Sequence, residues 1–312
     1  MKQDKIPLIV IFGPTASGKT AAAIKVCKWI GGEVVSADSM QIYKFMDIGS
    51  AKPSVSEMDG IKHHMIDFRD PRVNYSLADY VDDAKKAILE IHGRGKMPVL
   101  AGGTGLYIDT IINGIVLSEA ESDTKYREYL SELAEKNGNE FVYNMLVRVD
   151  KESAEETHPN NLKRVIRALE FFKCTGIKKS EHKLKSREIE GQYNILKFGM
   201  DMPRDILYDR INKRVDIMLE NGLVDEVKRL ISMGVSENST AMQGIGYKET
   251  RMFINGEITY SELTDMIKQS TRRYAKRQIT WFKREKDTVW VNPLEKDYFK
   301  LFQKTIEISE IL

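Results

Sequence analysis

The chain has 312 residues, of which 42% are apolar and 30% charged, with a formal charge of +2; this describes a soluble globular protein of one large domain or two modest ones. No apolar run approaches the ~20 residues of a membrane span and no secretory h-region opens the chain, so membrane and secreted classes are excluded and a cytoplasmic protein is expected. Cys27 and Cys174 lie outside any CxxC spacing, which argues against a disulfide framework or a zinc site and predicts two buried, inert cysteines.

The first element is the apolar stretch Ile6 to Phe12, a strand, followed by Gly13-Pro14-Thr15-Ala16-Ser17-Gly18-Lys19-Thr20 and a helix from Thr20 to Trp29. Eight residues of this kind at a strand-to-helix turn form a phosphate-binding loop (P-loop), where backbone N–H groups converge on an anion. Glycines permit the tight path, Lys19 supplies a cation, and the Thr20 hydroxyl can hold Mg²⁺. The motif announces linked phosphates and a metal; it leaves phosphoryl transfer, nucleotide-driven motion and removal of a diphosphate from carbon all open.

A second strand, Glu33 to Ser36, runs into Asp38-Ser39-Met40-Gln41. A carboxylate at a strand's carboxyl end can orient a nucleophile and take its proton, or it can cap a helix or reach a metal through water. The dense run from Lys44 to Pro53 carries too many loop residues and charges for a simple connection. His63-His64 suggests a metal, but adjacent histidines point in different directions on regular elements and no HxxxH spacing supports them. Ser76, with Asp79 three residues on, caps a helix whose apolar face runs through Tyr80, Ala84, Ala87, Ile88 and Ile91. The third predicted strand, Pro98 to Ala101, ends in Gly102-Gly103-Thr104-Gly105. A nucleotide kinase, the common alternative for a P-loop chain of this size, would place an acidic metal ligand after a later strand. Here glycines admit close backbone approach by a ligand, with the Thr104 hydroxyl able to read it, and a tight turn without a ligand is the competing reading.

From about Ser118 the chain becomes charged and helix-rich, with amphipathic segments at Asp123–Lys136, Glu140–Val149 and Asn161–Cys174. A strand at Tyr193–Met200, a helix opened by Pro203 that carries Arg214, a long basic helix from Ser261 to Lys286, a short strand at Val289–Val291 and a final helix follow. The fold expected is therefore α/β: a P-loop core of parallel strands covered by helices, residues 1–117 and 193–312, interrupted by an all-helical insertion at 118–192. Basic residues are concentrated twice. Lys163, Arg164, Arg167, Lys173, Lys178, Lys179, Lys183, Lys185 and Arg187 face only Glu170 and Glu181, and Lys268 to Lys286 holds eight cations against Glu285. These are two solvated helix faces or two grips on one polyanion. The aromatics among them, Tyr274, Trp281 and Phe282 in one stretch and Phe171 and Phe172 in the other, read equally as core or as base-stacking platforms.

Together the residues closely resemble the tRNA dimethylallyltransferase (tRNA isopentenyltransferase) family in its compact bacterial form. The likeness rests on GPTASGKT at 13–20, DSMQIYKFMDIGSAKP at 38–53, HHMIDFRDP at 63–71, YSLADY at 75–80, AGGTGLYI at 101–108, HPNN and KRVIRALE within 158–170, AMQGIGYKE at 241–249 and KRQITWF at 276–282. Phe45, where a small residue is common, and Ser50, where threonine is common, are mild departures. The resemblance implies transfer of a dimethylallyl group from dimethylallyl diphosphate to the N6 amine of an adenosine beside a tRNA anticodon, by a monomer, with Mg²⁺. It implies Asp38 as proton acceptor, Thr104 as a group that orients the base, Arg214 as a further diphosphate contact, and the loop with Lys19 and Thr20 as the diphosphate cradle. It also implies tRNA contacts from Ser39, Met40, Gln41, Arg127, Lys163, Arg164, Arg167, Lys276, Arg277 and Gln278, hence salt-sensitive RNA binding and a flipped-out base.

Overall fold

The structure is a computed structural model that describes residues 5–114, 123–182 and 191–312; Lys183, Lys185 and Arg187 lie outside the described residues. The chain divides into two compact units, 1–112 with 192–312, and 113–191.

The first unit is built on a six-stranded sheet. Its strands are β1 (Ile6–Phe12), β2 (Glu33–Ala37), β3 (His63–His64), β4 (Pro98–Gly102), β5 (Tyr193–Met200) and β6 (Thr288–Val291), in the order β3-β2-β4-β1-β5-β6. Every pairing is parallel. β2 and β4 are buried along their whole length, as a sheet covered on both faces requires. The parallel α/β core expected from the apolar runs is the fold observed. One strand was not anticipated: His63–His64 is too short to carry a period-2 signal, and it becomes β3 only by pairing with Val34 and Val35.

Helices α1 (Lys19–Ile30), α2 (Val55–Met58), α3 (Leu77–Gly93) and α4 (Gly105–Ile112) fill the first crossovers. α3 begins at a full capping box between Ser76 and Asp79, and its anticipated apolar face is buried. On one side of the sheet, α1 packs Ala22, Ala23, Val26 and Cys27 with Ile9, Ile11, Val99, Phe198 and Phe302 in a single core.

The second unit contains α5 (Thr124–Asn137), α6 (Asn139–Val149), α7 (Lys151–Glu155) and α8 (Leu162–Thr175). Leu130, Val142, Leu146, Val165 and Leu169 form its own core. On α8, buried Glu170 accepts the Asp123 N–H at 2.9 Å and Arg127 Nε–H at 2.7 Å. The first unit then resumes with β5, α9 (Arg204–Glu220), α10 (Leu223–Ser232), α11 (Tyr247–Ile254), α12 (Tyr260–Phe282), β6 and α13 (Tyr298–Ile308).

Cysteine burial departs from expectation. Cys27 is buried in the sheet core, where desolvation raises its thiol to about 12, but Cys174 is exposed. The apolar stripe of α8 runs through Val165, Ile166, Ala168 and Leu169, and Cys174 falls off it near the helix end.

Candidate active site

The P-loop joins β1 to α1. Ala16 and Gly18 adopt left-handed φ of 63° and 84° on either side of Ser17, an alternation that turns successive N–H groups toward one concavity. Ala16 holds this conformation at a cost of about 1–2 kcal/mol, a strain of the kind found where backbone shape serves a ligand. Gly13 is required by close packing: a Cβ there would come within 2.8 Å of Met200 Cβ and 2.9 Å of Ser17 Oγ. α1 starts without a side-chain cap on Gly18, leaving its first N–H groups to an anion. Ser17 is buried and its hydroxyl has no hydrogen-bond partner.

Thr15, Lys19, Thr20, Asp38, Gln41, Ser50, Ala51, Pro53, His63 and Arg214 border one cavity, whose inner wall is Ala23, Val34, Ser36, Ala101 and Gly102. β4 lies between β1 and β2 in the sheet, so Asp38 reaches the loop's side of the cavity across one strand rather than from an adjacent one. Lys19 Nζ donates to Pro14 O at 3.3 Å. Burial pulls its pKa down to about 8, with Asp38 opposing and Arg214 reinforcing the shift. Arg214, on α9, is likewise lowered by burial while Asp38 and Glu57 counter it. Two cations and one carboxylate therefore share a small enclosure.

Asp38 Oδ1 accepts the N–H groups of Met40 at 2.9 Å and Gln41 at 3.4 Å. Its carboxylate is oriented by the turn it begins, and Oδ2 has no hydrogen-bond partner among the described residues. The β4 terminus packs against this turn: a Cβ on Gly102 would lie 2.1 Å from Ala37 O, and Thr104 N–H donates to that carbonyl at 3.0 Å. Thr104 Oγ1 accepts the Ser39 N–H at 3.1 Å and meets the hydroxyl of Tyr274. Gln41 donates from Nε2 to Ser50 O at 3.3 Å and Ala51 O at 3.2 Å, and Met40 packs against Gly244.

α12 closes the site from another side. Gln278, expected at the RNA surface, is instead buried. Its Oε1 accepts Thr15 N–H at 2.9 Å and its Nε2 donates to Gly103 O at 2.8 Å. The amide ties the P-loop to the β4 turn. The cause is helical phase: Ala275, Gln278 and Phe282 share the inward face, while Lys276 and Arg277 are exposed. Of the aromatics, Phe282 is buried and stacks on Phe12 with centroids 4.6 Å apart, whereas Trp281 lies against Gly105 with part of its ring exposed. Tyr274 is raised to about 12 by burial.

In the helical unit, Lys163, Arg164 and Arg167 stand exposed on α8 and form no ion pair with another described residue. Arg127, by contrast, is committed through Nε to Glu170 with its side chain half exposed. The histidine pair divides as strand geometry dictates. His64 Nε2 lies 2.6 Å from the Glu33 carboxylate, which Arg94 and Lys96 also bind, and His63 borders the cavity with Nδ1 2.9 Å from Ile61 O. Glu226 is the site feature that sequence reasoning missed. Buried on α10, it binds three backbone N–H groups of the 44–53 run, and no local motif marks it.

A sequence model of the IPP transferase family matches residues 41–285. A tRNA dimethylallyltransferase of Acetivibrio thermocellus is 47% identical over 300 residues, covering 96% of this chain and 95% of the relative. The crystal structure of a tRNA isopentenylpyrophosphate transferase from Bacillus halodurans is similar with a TM-score of 0.73 and 41% identity, covering 98% of this chain and 97% of that one. A eukaryotic dimethylallyltransferase acting on tRNA gives a TM-score of 0.81 at 31% identity, over 97% of this chain and 78% of the eukaryotic one. Matched by the family model over residues 41–285 and by a 47% identical relative across nearly its whole length, the chain belongs to the IPP transferase family, the tRNA dimethylallyltransferases.

Proposed function

We propose that this protein transfers the dimethylallyl group of dimethylallyl diphosphate to the exocyclic N6 amine of an adenosine adjacent to the anticodon of tRNA, releasing diphosphate, and that it does so as a cytoplasmic monomer. The observation that carries this reading is the cavity itself: an anion cradle with Lys19 and Arg214 on one side and a carboxylate with a free oxygen, Asp38, on the other.

The N6 lone pair is delocalised into the purine, so rate must come from activating the allylic carbon and holding the amine in line with it. As the C1–O bond breaks, its electron pair leaves with the diphosphate. The growing negative charge is met by the P-loop N–H groups, Lys19 and Arg214. The N6 lone pair forms the new C–N bond, and Asp38 Oδ2 takes the proton that N6 loses. Thr104, fixed by the Ser39 N–H, orients the base beside Asp38. Gln278 keeps the P-loop and the β4 turn in register, so that leaving group and nucleophile stay aligned.

The oxygen donors around Thr20 and Asp38 suit Mg²⁺. Among the described residues no group of three or more His, Cys, Asp or Glu side chains could hold a metal alone, so the ion would be shared between Thr20 and the diphosphate oxygens, as Mg²⁺ sites commonly are. When bound, it would supply charge neutralisation for the departing diphosphate.

Lys163, Arg164 and Arg167 on α8 and Lys276 and Arg277 on α12 bind phosphates of the anticodon arm, with Ser39, Met40 and Gln41 near the extruded base. No described helix is long and apolar enough to cross a membrane. The deciding experiment is mass analysis of tRNA nucleosides after incubation with dimethylallyl diphosphate. One adenosine per acceptor tRNA gaining a dimethylallyl group is the expected result; unmodified tRNA alongside phosphorylated product from ATP would overturn it.

A further inference from the structure

Glu226 sits on α10 and is 1% exposed. Its Oε2 accepts the N–H groups of Asp47 at 2.9 Å and Ile48 at 2.8 Å, and its Oε1 accepts those of Gly49 at 3.0 Å and the Tyr247 hydroxyl at 2.8 Å. No cation pairs with it among the described residues. A buried carboxylate with neutral donors alone is expensive unless all its lone pairs are used, and here four donors converge on it from two other segments.

What it holds is one wall of the cavity. Without it, three successive N–H groups of residues 47–49 would lose their common acceptor. Gly49 is pressed so closely on the Tyr247 ring that a Cβ would fall within 2.6 Å of it. The next residues, Ser50, Ala51 and Pro53, border the cavity. The carbonyls of Ser50 and Ala51 hold the Gln41 side chain, and the Gln41 N–H shares Asp38 Oδ1. A continuous path of hydrogen bonds therefore runs from Glu226 through the 47–51 backbone and Gln41 to the carboxylate assigned to proton removal.

We propose that Glu226 is a positioning residue for the acceptor half of the reaction. By fixing the 47–53 wall it sets Gln41 and Asp38 for the incoming amine, while the diphosphate cradle on α1 is held independently of it. The proposal rests on Asp38 being the proton acceptor of the transfer described above.

The test compares wild type, Glu226→Gln and Tyr247→Phe. Glutamine keeps the volume but points an NH₂ at donors. The measurements are amide hydrogen exchange, affinity for inorganic diphosphate with Mg²⁺, and single-turnover transfer to tRNA at saturating donor. For Glu226→Gln, amides 47–49 should exchange at least tenfold faster while β4 amides keep wild-type rates. Transfer should fall about tenfold or more, with diphosphate affinity within twofold of wild type. Tyr247→Phe keeps the carboxylate and its three N–H bonds, and should slow transfer about threefold.

Faster exchange with wild-type transfer would reduce Glu226 to a loop staple and overturn the proposal, as would parallel loss of diphosphate binding and transfer. Should Glu226→Gln not fold, Tyr247→Phe decides, and wild-type transfer in it overturns the proposal. Failure of wild type itself to modify tRNA while still binding diphosphate would count against the proposed function instead.

Discussion

In the sheet unit, Lys19, Arg214 and Asp38 crowd into one cavity. In the helical unit, Lys163, Arg164 and Arg167 stand in solvent on α8, above a core of Val165, Ile166, Ala168 and Leu169. Enclosed charges interact in low dielectric and are sensitive to small displacements, whereas exposed charges are screened and act nearly independently. The first arrangement suits bond-making; the second suits holding a polyanion whose phosphates need no exact register. Substitutions should therefore act on transfer rate in one unit and on tRNA affinity and its salt dependence in the other.

The largest effect expected is for Asp38→Ala. Removing the proton acceptor should slow single-turnover transfer by about 10²–10⁴ with tRNA affinity preserved; transfer at the wild-type rate would break the comparison at its centre. Next comes Lys163→Ala, Arg164→Ala and Arg167→Ala combined. Losing three phosphate contacts should reduce the slope of log affinity against log salt by about 2–3, while transfer at saturating tRNA is retained. A titration in salt reads this directly, and an unchanged slope would remove α8 from the RNA surface.

A third prediction uses pH. With a pKa of about 8, the Lys19 cation is present at neutral pH and is lost as pH rises through 8. Diphosphate affinity should then fall by up to about tenfold per pH unit above that point. The stability sign is opposite to that of a paired lysine. Because the folded-state pKa lies below the ordinary lysine value of 10.5, the unfolded chain holds more protons between about 8 and 10.5, and this group's contribution to stability rises with pH across that window. Lys19→Met should accordingly leave the ligand-free protein at least as heat-stable as wild type while diphosphate binding collapses. A drop in melting temperature would show that Lys19 serves the fold as well as the ligand. The smallest effect on chemistry is expected from Leu130→Ala. It should destabilise the helical unit by about 2–5 kcal/mol yet leave diphosphate affinity within twofold, measurable by hydrogen exchange and calorimetry.

Much of the fold was readable because its signals are local. β5 was expected at Tyr193–Met200 and occupies those residues, since an apolar run bounded by polar residues needs no distant information. Ser76 and Asp79 mark the start of α3 by chemistry within one turn. β3, α10 and α11 were not foreseen; β3 is two residues long, and α10 and α11, only 10 and 8 residues long, fold against each other and the helices beside them. In the site, the P-loop and the glycine turn after β4 announced themselves by composition. Gln278 did not: the family resemblance grouped it with Lys276 and Arg277 as an RNA contact, and only the packing of α12 turned its side chain inward.

By itself the sequence determined where strands run into glycine and acid, and which eight residues make the turn from β1 into α1. These follow from backbone sterics and periodicity over a few residues. Only the tertiary structure decided that Gln278 binds Thr15 across 263 residues, that Glu226 supplies the missing partners of residues 47–49, and that Lys19, Arg214 and Asp38 share one cavity. Each of these depends on long-range burial, where an unsatisfied polar group is costly and must find a partner wherever the chain brings one.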